Sequence, residues 1–113
     1  MKKLTFILLM LVSVPLILRS DPPKKLTVTY SNETKKLTVV ALHPVKNVNT
    51  HFIDLFTISV NGKEVKEIKL KKQADAKNAT MEATIPEIVS GCKVTVKARC
   101  NEFGTKSKSI DIE

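Results

Sequence analysis

The chain has 113 residues, enough for one domain, and its 42% hydrophobic and 27% charged residues give it a globular composition. It contains no Gly-rich phosphate loop and no Ser-centred nucleophile motif. It is also too short for a doubly wound sheet or a barrel of strands and helices. These features argue against nucleotide-binding and large-substrate enzymes and leave a small binding or metal-carrying module.

The N-terminal segment has the pattern of an export signal. A short basic start precedes an apolar run at residues 4–18, which is shorter than the roughly 20 residues that a bilayer-spanning helix needs. Pro15 within this run suits a signal peptide better than a packed helix. We therefore predict a signal peptide at residues 1–20, with an uncleaved membrane anchor as the alternative, and a single domain at residues 21–113. The expected location is exported: periplasmic, extracellular or on the outer face of a membrane.

The charge pattern gives little sign of a polyanionic partner. Removal of residues 1–20 lowers the net charge from +8 to +5. The remaining lysines are spread along the chain without the interleaved aromatic residues that single-stranded nucleic acids stack on. A solvated outer face explains most of them, and attraction of a small anion is the alternative. We predict no nucleic-acid partner and membrane contact only through residues 1–20.

The rest of the chain predicts seven short β-strands. Apolar and polar residues alternate at 26–30, as expected for a half-buried strand, and Asn61-Gly62 is a strong hairpin signal. No stretch has a convincing helical period. The predicted strands are 26–30, 36–42, 52–60, 64–70, 81–85, 92–100 and 107–112. Seven strands in about 90 residues indicate an all-β, immunoglobulin-like sandwich.

The predicted strand directions bring three metal-binding side chains together. If successive strands run antiparallel, the second and sixth strands end at the same pole where the third begins. Those positions carry His43, Cys100 and His51, which include the only two histidines of the chain. Imidazole and thiolate together suit a transition metal such as iron, copper or zinc. Surface histidines and a buried structural cysteine are the alternative.

These residues stand in motifs that resemble a known family. His43-Pro44, the stretch 50–54, the stretch 60–65 and the stretch 94–104 with Cys100-Asn101 are similar to the iron-binding domain of desulfoferrodoxin, also called superoxide reductase. The resemblance covers roughly residues 37–104. It implies an immunoglobulin-like sandwich with a mononuclear iron, which that family holds with four histidines and one cysteine.

The chain departs from the family pattern at two ligands. Phe103 stands where the family's last histidine is expected, and no histidine precedes His43. The resemblance therefore matches only His43, His51 and Cys100 as metal ligands. Water, Asp54, Glu102 or a residue of another chain are candidates to complete the site. We expect a reduced, more open site for iron, with copper and zinc as alternatives.

Three functions follow from these observations. The first is an exported metal-binding protein with redox activity toward superoxide or another small oxidant, served by an electron-donor protein. The second is a non-enzymatic interaction module, because His43-Pro44, residues 51–53 and residues 61–63 are also similar to the small subunit of the sulfur-oxidation carrier complex. The third is a structural sandwich with a decayed metal site. Whether the protein is an enzyme is left open.

The second cysteine is not expected to bridge to the first. Cys92 and Cys100 are separated by eight residues of strand, about 26 Å, whereas the Cα atoms of a disulfide lie within about 7 Å. Cys92 is therefore predicted to be a buried thiol, with an intermolecular link as the alternative. Two glycosylation sequons, at Asn32 and Asn78, are predicted to lie in turns.

Overall fold

The computed structural model describes residues 20–113, so the predicted signal peptide lies outside the described residues except for Ser20. These residues form seven strands and no helix, and they include no helix that could span a membrane. The strands are β1 (Lys25–Ser31), β2 (Lys36–Leu42), β3 (Ile53–Val60), β4 (Lys63–Lys69), β5 (Asn78–Thr84), β6 (Lys93–Cys100) and β7 (Thr105–Asp111).

The strands form two antiparallel sheets. One sheet has the order β1-β2-β5, and the other has the order β4-β3-β6-β7. The predicted all-β sandwich of seven strands is thereby confirmed. Its fourth strand pairs with the third strand, whereas in a constant-type immunoglobulin domain the fourth strand belongs to the first sheet.

Alternating side chains build the core between the sheets. Along β6, Val94, Val96, Ala98 and Cys100 are buried, while the residues between them face outward. Phe56 of β3 and Leu37 of β2 are completely buried. Burial of an aliphatic or aromatic side chain of this size contributes about 1.5–3 kcal/mol, so these central strands supply much of the driving force for folding.

Some strand limits differ from the predicted ones. β5 begins at Asn78, three residues before the predicted start, because its backbone pairs with β2 as far as Leu42 whatever side chains it carries. The prediction of a turn at the Asn78 sequon is therefore wrong. The Asn32 sequon does lie in the turn after β1, where Asn32 is exposed.

The two cysteines mark opposite ends of the sandwich. Cys100 is the last residue of β6, and Cys92 stands just before its first residue. Both are buried free thiols, which confirms that no bridge joins them. The end of the sandwich where β2 and β6 finish and β3 begins is called the Cys100 end below, and the opposite end is called the Cys92 end. An irregularity in β3 between Ile53 and Leu55 lies where β3 pairs with the last residues of β6.

Candidate metal centre

Four potential metal ligands meet at the Cys100 end. One ligand atom from each of Asp21, His43, His51 and Cys100 lies within 4.8 Å of the others. His43 directly follows β2, His51 lies in the turn before β3, and Cys100 ends β6. The expected gathering of the two histidines with Cys100 is confirmed. Asp21 is a further member that the sequence did not indicate.

Asp21 reaches the cluster through an extended segment, residues 20–24, here called the N-terminal strap. The Asp21 N–H donates to the carbonyl of Phe103 at 2.9 Å, and the Lys24 N–H donates to the carbonyl of Leu42 at 2.7 Å. Pro22 lies directly on Gly104, whose φ is +109°, and a Cβ at Gly104 would come within 2.7 Å of the Pro22 nitrogen. The strap is therefore fixed at both ends and in close contact with the β6–β7 turn.

His43 is the most enclosed of the four residues, with 1% of its surface exposed. Its Nδ1 forms a hydrogen bond with Oε1 of Gln73. Its Nε2 lies 2.9 Å from the carbonyl oxygen of Asp21 and 3.3 Å from Oδ2 of the same residue. The Nε2 atom, and not Nδ1, therefore faces the other potential ligands.

His51 lies at the solvent side of the cluster. Its Nε2 is 2.8 Å from Oδ2 of Asp21, an ion-pair distance, yet this buried nitrogen has no partner with acceptable hydrogen-bond geometry. Its Nδ1 is 3.8 Å from Oε1 of Glu102. The ring packs edge-on against that of His43, with centroids 5.0 Å apart. A buried nitrogen without a hydrogen bond, close to a carboxylate, suits a position that a cation can occupy.

The surroundings of Cys100 favour a protonated thiol over a thiolate. Burial raises the pKa of the thiol above its usual value, and the negative charges of Asp21, Glu102 and Asp54 act in the same direction. The backbone N–H of Glu102, which donates to Sγ at 3.3 Å, lowers the pKa by a smaller amount. A thiol ligand binds metal as the thiolate, so a metal ion at this site would displace the proton.

The dimensions and donor types of the cluster fit a transition-metal ion. A tetrahedral ion with bonds of about 2.0–2.3 Å separates its ligand atoms by about 3.5 Å, so small side-chain movements would close a group already within 4.8 Å. Two imidazoles, a thiolate and a carboxylate suit zinc, copper or iron. A depression of about 830 Å³, open to solvent, lies beside His51, Asp21 and Glu102. Small solutes can therefore approach the cluster from the His51 side.

Other candidates from the sequence have different roles. Asp54 is held by Arg99, whose Nε and Nη2 donate to its two carboxylate oxygens at 2.9 and 3.0 Å, so Asp54 does not join the cluster. Glu102 lies at the edge, close enough to orient His51. Phe103 is largely exposed, and its contribution is the carbonyl that holds the strap.

Gln73 is a second residue that the sequence did not indicate. It lies in the connection between β4 and β5, which looked like a polar surface segment, yet only 1% of its surface is exposed. Its amide contacts His43 and the first residue of β3. Neither Gln73 nor Asp21 lies in a strand, so strand periodicity gave no signal for them.

No protein-family model and no curated protein matches the chain. Among solved structures, it is similar to a superoxide reductase in the oxidized state, with 15% sequence identity and a TM-score of 0.49. The similarity covers 84% of this chain and 95% of that chain. A likeness at this level does not bear on function.

Proposed function

We propose that this protein binds one transition-metal ion through Asp21, His43, His51 and Cys100. The observation that carries the proposal is the convergence of four different ligand atoms within 4.8 Å at one end of the sandwich. His43 and Cys100 are buried beside the Asp21 carboxylate, and burial of polar groups is costly unless they are paired; a cation among them would offset that cost. The unpartnered Nε2 of His51 supports the same assignment.

The finer proposal is a redox role for this site. The motifs around His43, His51 and Cys100 resemble the iron site of superoxide reductase, so iron is the first metal to test, with copper and zinc as alternatives. A bound iron would supply one-electron redox chemistry. The solvent-open depression beside His51 would admit superoxide or another small oxidant. Reduction of superoxide to hydrogen peroxide consumes two protons and one electron; the protons would come from solvent, and an external donor protein would have to supply the electron.

A metal-free role is the second candidate. It is favoured by the contacts of both ring nitrogens of His43, Nδ1 with Gln73 and Nε2 with the carbonyl of Asp21. These contacts allow His43 to serve as a structural polar residue. The protein would then be an interaction module of the sulfur-carrier-subunit type, or a structural sandwich with a decayed site.

Metal binding by paired cysteine variants separates the two candidates. The full chain is purified anaerobically and titrated with Fe(II), Cu(II) or Zn(II), beside Cys100→Ser and the control Cys92→Ser. We expect one metal ion per chain in the wild type and in Cys92→Ser, with affinity at least about tenfold weaker in Cys100→Ser because the thiolate is lost. The control carries the same change at an equally buried site beside the opposite end of β6.

Each outcome selects one function. Absence of metal in all three proteins would refute the metal site and leave the interaction module. Equal binding by all three would remove Cys100 from the ligand set. If the loaded wild type does not accelerate superoxide decay in the presence of an electron donor, the redox role is refuted while metal binding stands.

A further inference from the structure

We propose that Gln73 is a positioning residue that holds the His43 ring in the tautomer whose Nε2 binds the metal. This inference rests on the proposed metal site and adds a residue to it. Gln73 forms no hydrogen bond with the side chains of Asp21, His51 or Cys100, so it would act only through His43.

The orientation of the Gln73 amide is fixed by its backbone partners. Its Oε1 lies 3.1 Å from the N–H of Ile53, which can only donate. Its Nε2 lies 3.0 Å from the carbonyl of His43 and 3.2 Å from the carbonyl of Asp75, which can only accept. A flipped amide would place donor against donor and acceptor against acceptor, so Oε1 is the atom that faces His43.

This orientation assigns the proton on His43. Because Oε1 of Gln73 is an acceptor, Nδ1 of His43 must be the donor in the hydrogen bond between them. In the neutral ring the lone pair is then on Nε2. That lone pair faces the carbonyl oxygen of Asp21 at 2.9 Å and a carboxylate oxygen of Asp21 at 3.3 Å. Three electron-rich atoms in contact repel one another unless a proton or a metal cation lies among them.

Gln73 is itself held rigidly. Its backbone N–H donates to the carbonyl of Val48 at 3.2 Å, and its side chain links the start of β3 to the segment after β2 and to the segment before β5. A hydrogen-bond acceptor on the distal ring nitrogen of a metal-binding histidine fixes the ring and increases its basicity. Gln73 has the position, orientation and rigidity for this role.

Substitutions at Gln73 test the role, with Asn101→Ala as the matched control. Asn101 is another amide at the Cys100 end that bridges loops: it donates to the carbonyl of Thr50 and accepts from the N–H of Phe52, both close to 3 Å. Gln73→Met keeps the length of the side chain but removes the acceptor, whereas Gln73→Glu keeps an acceptor oxygen. Loss of Asn101 would disturb the loops without touching the histidine tautomer.

The readouts are the NMR chemical shifts of the imidazole nitrogens in the ¹⁵N-labelled full chain and the affinity of the chain for Zn(II). We expect protonated Nδ1 at His43 in the wild type, Gln73→Glu and Asn101→Ala, and loss of this preference in Gln73→Met. Zinc affinity should fall about 10- to 100-fold in Gln73→Met and by clearly less in the other two variants.

The nitrogen chemical shifts distinguish failure of the proposed role of Gln73 from failure of the metal site. A neutral His43 protonated on Nε2 in the metal-free wild type would overturn the role of Gln73, even if no variant folds. Unchanged shifts and zinc affinity in folded Gln73→Met would overturn it as well. If the wild type binds no zinc, affinity is measured with Fe(II) or Cu(II) instead; if none of the three metals binds, the metal site fails, and the role of Gln73 toward a metal fails with it. A protonated Nδ1 would then identify Gln73 only as a structural partner.

Discussion

The two cysteines of β6 show how the ends of one strand acquire different chemistry. Cys92 and Cys100 lie on the same face, and each is 2% exposed. Cys100 has a backbone N–H on its sulfur and belongs to a group of imidazole and carboxylate side chains. Within residues 20–113, no comparable group of metal-binding side chains includes Cys92, which is part of the hydrophobic core. Burial and strand position therefore do not distinguish a candidate ligand from a core residue; the loops that cover the strand end do.

The largest difference between the two ends is expected in the loss of folding stability when a glycine is replaced by alanine. Gly104 at the Cys100 end and Gly91 at the Cys92 end both have positive φ, +109° and +87°, but only at Gly104 would an added Cβ meet another segment. Gly104→Ala should cost about 3 kcal/mol, because overpacking against Pro22 adds to backbone strain. Gly91→Ala should cost about 1 kcal/mol from strain alone.

Urea denaturation of the metal-free chain measures both losses. A similar loss in the two variants would mean that the strap yields easily, and that Asp21 is only loosely held. Metal affinity should also fall more in Gly104→Ala than in Gly91→Ala, because displacement of Pro22 also moves Asp21.

An intermediate difference is expected for serine in place of each cysteine in the metal-free protein. Cys92→Ser buries a hydroxyl in the core and should cost about 1–3 kcal/mol. Cys100→Ser should cost about 1 kcal/mol or less, because the N–H of Glu102 can donate to the new oxygen. Chemical denaturation at neutral pH without metal gives both values. A larger loss in Cys100→Ser than in Cys92→Ser would show that the surroundings of Cys100 are the less polar of the two.

The smallest difference is expected in the dependence of stability on pH. Because the pKa of Cys100 is raised in the folded chain, the unfolded chain releases its thiol proton first as the pH rises. The contribution of the Cys100 thiol to the stability of the fold is complete below the usual thiol pKa of 9.0. It is lost as the pH rises through the higher pKa of the folded chain. Cys100→Ala should weaken the dependence of the free energy of unfolding on pH in this range, and Cys92→Ala provides the comparison. An unchanged slope in Cys100→Ala would contradict the raised pKa.

The sequence predicted the parts of the site that depend on strand direction. His43, His51 and Cys100 each stand at or beside a strand end, so antiparallel order was enough to place them at one pole. The fold class was predictable for the same reason, since period-2 alternation and the Asn61-Gly62 turn are local signals. The start of β5 was not predictable, because the pairing of β5 with β2 extends beyond the apolar residues of β5.

The sequence could not reveal the residues that come from irregular segments. Asp21 is brought to the cluster by the contact of Pro22 with Gly104 and by a hydrogen bond to a turn far away in the sequence. Gln73 is buried among segments distant in sequence, to which it is hydrogen-bonded at Val48, His43 and Ile53. A lone acidic residue before two prolines, and a glutamine among lysines and alanines, look like solvent-exposed residues until the tertiary contacts are known.

The dispersal of the four clustered residues along the chain has a consequence for folding. Asp21 comes before the first strand and Cys100 ends the sixth, so the cluster exists only after both sheets have formed and closed on each other. Contacts this distant in sequence are completed late, because the intervening loops must close first. A metal ion at this end would bind the finished sandwich far more tightly than the unfolded chain. By mass action it would then stabilise only molecules whose assembly is already complete.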